Sequence, residues 1–119
     1  MNTKLIGAYG EQVAARYLRG EGYNIIAANY VAGSGEIDII CEKGKVICFV
    51  EVKTRKEGGM LDPAAAVNYN KQGNVKSAAG AYMSRYSLKN EMRFDIIEVL
   101  LSEENLYNVI KINHIKNAF

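Results

Sequence analysis

The chain has 119 residues, 49% of them apolar and 24% charged, with 15 Lys and Arg against 13 Asp and Glu for a formal charge of +2. That length supports one hydrophobic core and is short for two, so a single domain over residues 1–119 is expected. Two cysteines (Cys41, Cys48) and one histidine (His114) leave little for a zinc site or a Ser-His-Asp triad. No apolar run approaches the roughly 20 residues of a membrane span. The first residues also lack the apolar stretch of a signal peptide. A cytoplasmic protein with two buried, reduced thiols and no membrane partner is the expectation.

In chain order, Thr3 to Arg19 reads as a helix, because Ile6, Tyr9, Val13 and Tyr17 recur on one stripe and Gly20 and Gly22 end it. Tyr23 to Tyr30 reads as a first strand, and Gly33-Ser34-Gly35 turns the chain. Glu36 to Glu42 is a second strand, joined through Lys43-Gly44-Lys45 to a third, Val46 to Thr54, that returns antiparallel. The third strand is apolar on both faces through Phe49, which places it centrally in its sheet. Arg55 to Leu61 is charged and glycine-rich, the composition of a surface loop. Asp62-Pro63 is a helix-starting pair, followed by a helical region clearest at Val75, Ala78, Ala79, Tyr82, Met83 and Tyr86. Arg93 to Leu101 is a fourth strand, and Leu106 to Ile112 a fifth that pairs with it. The order α-β-β-β-α-β-β predicts an α/β (α+β) architecture, a mixed sheet of about five strands flanked by helices.

Three charged residues stand where a core-seeking pattern avoids them. Asp38 interrupts Ile37 to Cys41, and Glu51 and Lys53 punctuate the end of the most apolar strand. Side chains alternate along a strand, so Glu51 and Lys53 share a face roughly 7 Å apart. The hairpin brings Asp38 alongside, and it faces Glu51 if the register permits. Glu51-Val52-Lys53 alone is a common pattern that usually marks a solvated face or an ion pair. At the end of a doubly apolar strand, however, charges are expensive unless paired or binding an ion.

Magnesium takes hard oxygen ligands at about 2.1 Å and usually draws one or two carboxylates from a protein. Asp38, Glu51 and the backbone carbonyl of Val52 could supply three oxygens for magnesium, or for manganese in its place. The cation would lower the pKa of a water, and Lys53 would orient that water or steady charge on a phosphate.

Four segments carry a resemblance: Gly7-Ala8-Tyr9-Gly10-Glu11, Gly35-Glu36-Ile37-Asp38-Ile39-Ile40, Phe49-Val50-Glu51-Val52-Lys53-Thr54-Arg55 and Arg93-Phe94-Asp95-Ile96-Ile97. Asp38 with Glu51-Val52-Lys53 resembles the signature of restriction-endonuclease-like (PD-(D/E)xK) nucleases. The four blocks together, in order, resemble the YraN family, small bacterial proteins related in fold to archaeal Holliday-junction resolvases. The resemblance implies a restriction-endonuclease-like fold, with Asp38 and Glu51 as metal ligands and Lys53 as the catalytic lysine. Glu11 would be a further acidic residue reaching the metal directly or through water. Helical periodicity leaves Glu11 equally open as a solvent-facing residue.

Glu36 shares a strand face with Asp38 and either supports the metal from behind or simply begins the strand. Asp95 interrupts another apolar strand, where it could anchor an arginine or help shape the site. Arg55, Lys56 and Lys71 could line a groove for phosphates, the alternative being ordinary surface charge. Lys71, four residues before Val75, projects along the same helix face toward the sheet; Lys76 projects elsewhere. Tyr82 fits the helix core better than a stacking role. No sequence-reading element is present, so recognition of branched or single-stranded DNA fits better than base readout.

Two functional classes remain at this stage. One is a metal-dependent endonuclease. The other is a nucleic-acid-binding module of weak or no catalysis within a repair, recombination or uptake complex. Resolvase relatives act as symmetric dimers, so a homodimer is compatible, with Leu106 to Ile112 and Phe119 as candidate contacts.

Overall fold

The computed structural model describes residues 3–58 and 69–119. Helix α1 (Thr3–Gly20) is followed by strands β1 (Asn24–Ala32), β2 (Gly35–Lys43) and β3 (Val46–Lys56), helix α2 (Tyr69–Arg85), and strands β4 (Glu91–Leu101) and β5 (Val109–Ile115). The predicted order of elements is the observed one. The Asp62-Pro63 helix start and the end of the 55–61 loop lie outside the described residues.

The five strands form one sheet in the order β1-β2-β3-β4-β5. Neighbours run antiparallel except β3 and β4, which are parallel and so need a crossover; α2 lies within it. A turn with Gly44 at φ 61° closes the β2–β3 hairpin. β3 occupies the centre, and both its faces are covered. On one side Val13, Ala14 and Leu18 of α1 pack on Cys48, Val50 and Val52, with Ile97 and Val99 of β4. On the other, Val75, Ala78, Ala79, Tyr82 and Met83 of α2 pack on Ile47 and Phe49, with Ile37 and Ile40 of β2. Cys41 and Cys48 are opposite one another in register, buried and unbridged.

Two glycines set how closely the helices approach. A methyl group at Gly10 would run into the side chain of Thr54 on β3, and one at Gly35 would run into the backbone carbonyl of Asn74 on α2. Gly10→Ala is therefore expected to push α1 off the sheet and lower stability by about 1–3 kcal/mol. Chemical denaturation measures this directly; an unchanged midpoint would mean that Thr54 yields without cost.

β5 differs from the sequence expectation. It starts at Val109 rather than Leu106 and continues to Ile115. Leu106 is nonetheless apolar for a reason, since it packs against the α1-side core from the preceding turn.

On the α1 side of β4, Asp95 is fully buried. It accepts hydrogen bonds from Arg93 Nε (2.9 Å) and Nη2 (2.8 Å), from His114 Nε2 (2.7 Å) and from the backbone of Asn117 (3.0 Å). The arginine anchor read from the sequence is thus present, with His114 and the C-terminal backbone added to it. Lys76 points away from the cleft described below, lying over the rings of Phe94 and Phe119 at 5.8 and 5.9 Å.

Candidate active site

The β2–β3 ladder runs from Lys43↔Val46 to Ile39↔Val50 and stops there. The next pair in that register would be Asp38 and Glu51. Instead of continuing the ladder, an Asp38 carboxylate oxygen accepts the N–H of Val52 at 2.8 Å. A side chain has replaced a backbone partner, and the two strands part. An extended residue projects its N–H and C=O toward the same neighbour, so the Val52 carbonyl faces this gap as well. β1 is irregular at the same level. Asn29, which falls opposite Asp38 in the β1–β2 register, has φ 52°.

The opening admits groups from both helices. A cleft of about 620 Å³ has Lys4 and Glu11 of α1, Asn29, Asp38, Lys53 and Lys71 of α2 in its lining. Glu51 lies beneath, 1% exposed, with Oε2 3.2 Å from Lys71 Nζ. Its other oxygen, Oε1, is buried and has no hydrogen-bond partner among the described residues. Val50 and Val52 belong to the α1-side core, so Glu51 and Lys53 project on the α2 side, where Lys71 meets them.

The electrostatics record the crowding. Burial, and next the charge of Asp38, raise Glu51 to about 7, against the pull of Lys71. Burial also raises Asp38, although the Val52 N–H and the two lysines oppose it. Glu11 rises to about 7 through burial, the charges of Asp38 and Glu36, and a hydrogen bond to Asp38. Lys53 is lowered by burial and by Lys71 beside it. Burial lowers Lys71, but its pairing with Glu51 and the charge of Asp38 help to outweigh that and leave it raised. Three carboxyl groups so close resist full ionisation at neutral pH unless positive charge joins them.

The donor set suits a hard cation. Two carboxylates and a carbonyl are oxygen ligands of the kind magnesium and manganese accept, with water and phosphate completing an octahedron. Among the described residues, no three His, Cys, Asp or Glu side chains are grouped to hold an ion. A cation here would have two carboxylates at most, Asp38 and Glu51, with the Val52 carbonyl beside them; the exposed Glu36 raises Asp38, and Asp38 and Glu36 together raise Glu11.

Of the residues singled out in the sequence, Glu11, Glu36, Asp38, Glu51, Val52, Lys53 and Lys71 come together here. Arg55 lies over the neighbouring strand instead, its guanidinium 3.7 Å from Glu98, and Lys56 is exposed at the end of β3. Sequence reasoning missed Asn29 and Lys4. An asparagine inside a strand, suited to positive φ, was the available signal for the first; nothing marked the second.

Comparison with known proteins places these features in a lineage. The model of uncharacterised protein family UPF0102 matches residues 10–99. The chain belongs to that family. This is the YraN family whose sequence blocks it resembles. A UPF0102 protein of Alkaliphilus oremlandii (strain OhILAs) is 45% identical over 122 residues, covering all of both chains. One from Alkaliphilus metalliredigens (strain QYMF) is 42% identical over 98% of this chain and 99% of its own. One from Caldicellulosiruptor bescii is 43% identical over the full length of both. The family match spans the ends of β2 and β3 and the whole of α2, and hence most of the cleft.

Proposed function

We propose that this protein is a magnesium- or manganese-dependent endonuclease that hydrolyses phosphodiester bonds in branched or single-stranded DNA. The observation carrying the proposal is Glu51: a carboxylate 1% exposed, with one oxygen unpartnered, beside Asp38 and between two lysines. Leaving a buried polar atom unsatisfied costs about 1–3 kcal/mol, and a ligand-binding role explains why the residue is there.

Asp38, Glu51 and the Val52 carbonyl would hold the cation, which supplies Lewis-acid charge to the phosphate and lowers the pKa of water. Lys53 lines the same cleft, where its ammonium can bind a phosphate oxygen and offset the charge that builds there. Glu11, poised near neutrality, can take up a proton at its carboxylate. Water adds across the P–O3′ bond: its oxygen joins phosphorus, a proton passes to the departing 3′ oxygen, and a 5′-phosphate remains. Lys4, Lys53 and Lys71 along the cleft offer contacts to backbone phosphate but no reading of bases, which favours recognition by shape.

A four-way junction presents two strands to cut, and a two-fold dimer would match it. For that role β5 offers an outer edge with Ile110 and Ile115 exposed, whereas Phe119 packs on Phe94 of the same chain.

The test pairs the parent with Lys53→Met on branched, single-stranded and duplex DNA and on RNA, each with magnesium or manganese. Parent cleavage of branched or single-stranded DNA is expected, slowed about 10²–10³-fold in the variant with binding retained. Binding by both without cleavage would favour a non-catalytic module of a repair, recombination or uptake complex. Neither binding nor cleavage would end the nuclease reading.

A further inference from the structure

The two oxygens of Glu51 are treated unequally. Oε2 is held 3.2 Å from Lys71 Nζ, while Oε1, equally shielded from water, has no partner. Lys71 is not placed there by chance of rotamer alone. It stands one helical turn before Val75, which is buried in the α2-side core, and α2 is seated tightly where Asn74 meets Gly35. The ammonium position therefore follows from how the helix is docked.

We infer that Lys71 is a positioning residue that occupies one oxygen of Glu51, presents the other alone to the cation, and so favours ions taking a single oxygen per carboxylate. This rests on the metal reading above and deepens it. Magnesium and manganese suit a compact octahedron of single-oxygen donors, whereas calcium takes six to eight oxygens at longer range and often grips a carboxylate through both. Closing both oxygens of Glu51 on one ion would bring that ion up against the Lys71 ammonium, 3.2 Å from Oε2. The ammonium also repels every divalent ion alike. The signature of positioning is thus a change in the ratio of affinities and not in affinity as such.

Isothermal titration of the metal-free protein with magnesium, manganese and calcium chlorides reads this without any substrate. The parent, Lys71→Met, Lys71→Arg and Glu51→Gln are compared, with unfolding midpoints confirming that each is folded. Lys71→Met is expected to shift the calcium-to-magnesium affinity ratio toward calcium by about fivefold or more. Lys71→Arg, which keeps a donor on Oε2, should stay within about twofold of the parent. A Lys71→Met protein that gains or loses both ions by one common factor overturns the assignment, since only charge was then removed. In that case parent binding that vanishes in Glu51→Gln leaves the metal reading intact. Absence of saturable binding by the parent overturns both.

Discussion

Glu51→Gln is expected to reduce the proposed DNA cleavage by more than about 100-fold, because loss of a residue proposed to bind the metal should exceed the 10–100-fold typical of the groups behind a ligand. The same substitution should leave the metal-free protein at least as stable as the parent. The native carboxylate is buried with one oxygen unpartnered and a second carboxylate beside it. Glutamine removes that charge while its carbonyl can still accept from Lys71. A gain on the order of 1–2 kcal/mol is reasonable, since taking away a poorly satisfied buried charge is often stabilising. Stability and activity moving in opposite directions separates a working site from a structural ion pair. Denaturant unfolding alongside a cleavage assay measures both. If stability instead fell by several kcal/mol, Glu51 would be a framework residue and the site argument would lose its main support.

Asp95→Asn should behave in the opposite way, with a large loss of stability. Four donors converge on this fully buried carboxylate, two of them from Arg93. Asparagine has one acceptor oxygen and would turn an amino group toward arginine or histidine. Breaking a buried charged network from one side costs about 3–5 kcal/mol.

The parent should also be acid-sensitive through this group. Burial alone would raise Asp95, but the bonds from His114, Arg93 and Asn117 prevail and hold it near 2, below its ordinary 3.8. Its contribution is complete above pH 3.8 and is lost as pH falls toward 2. The amount is on the order of 2 kcal/mol. The unfolding midpoint of the parent should thus drop across that window, and the variant should lack this part of the fall. A variant as stable as the parent at pH 7 would show that the network contributes nothing.

The sequence conveyed most of this architecture because apolar spacing alone separates the elements. The Ile6, Tyr9, Val13 and Tyr17 stripe became the packed face of α1, and the doubly apolar run to Phe49 became the central strand. Asp38 and Glu51 were legible as a pair because a short hairpin fixes antiparallel register. Arg55 was not legible in the same way. Its neighbour Glu98 comes from a strand paired in parallel, and parallel register is set by a crossover with no turn to count from.

His114 was hidden for a related reason. It reaches Asp95 through the β4–β5 pairing, and the apolar pattern ends β5 at Ile112, short of His114. Helix phase predicted that Lys71 faces the sheet. That its ammonium would meet Glu51 required knowing where α2 docks.

The way Asp38 ends the β2–β3 ladder has a bearing on how relatives are compared. This aspartate serves the backbone as well as any chemistry, since the Val52 amide would otherwise lose its acceptor. A descendant that had abandoned catalysis would still keep an oxygen-bearing side chain there to hold its strands together. Survival of that acid is therefore poor testimony to activity, and Lys53, with no such duty to the main chain among the described residues, is the residue whose replacement would mark loss of the proposed activity.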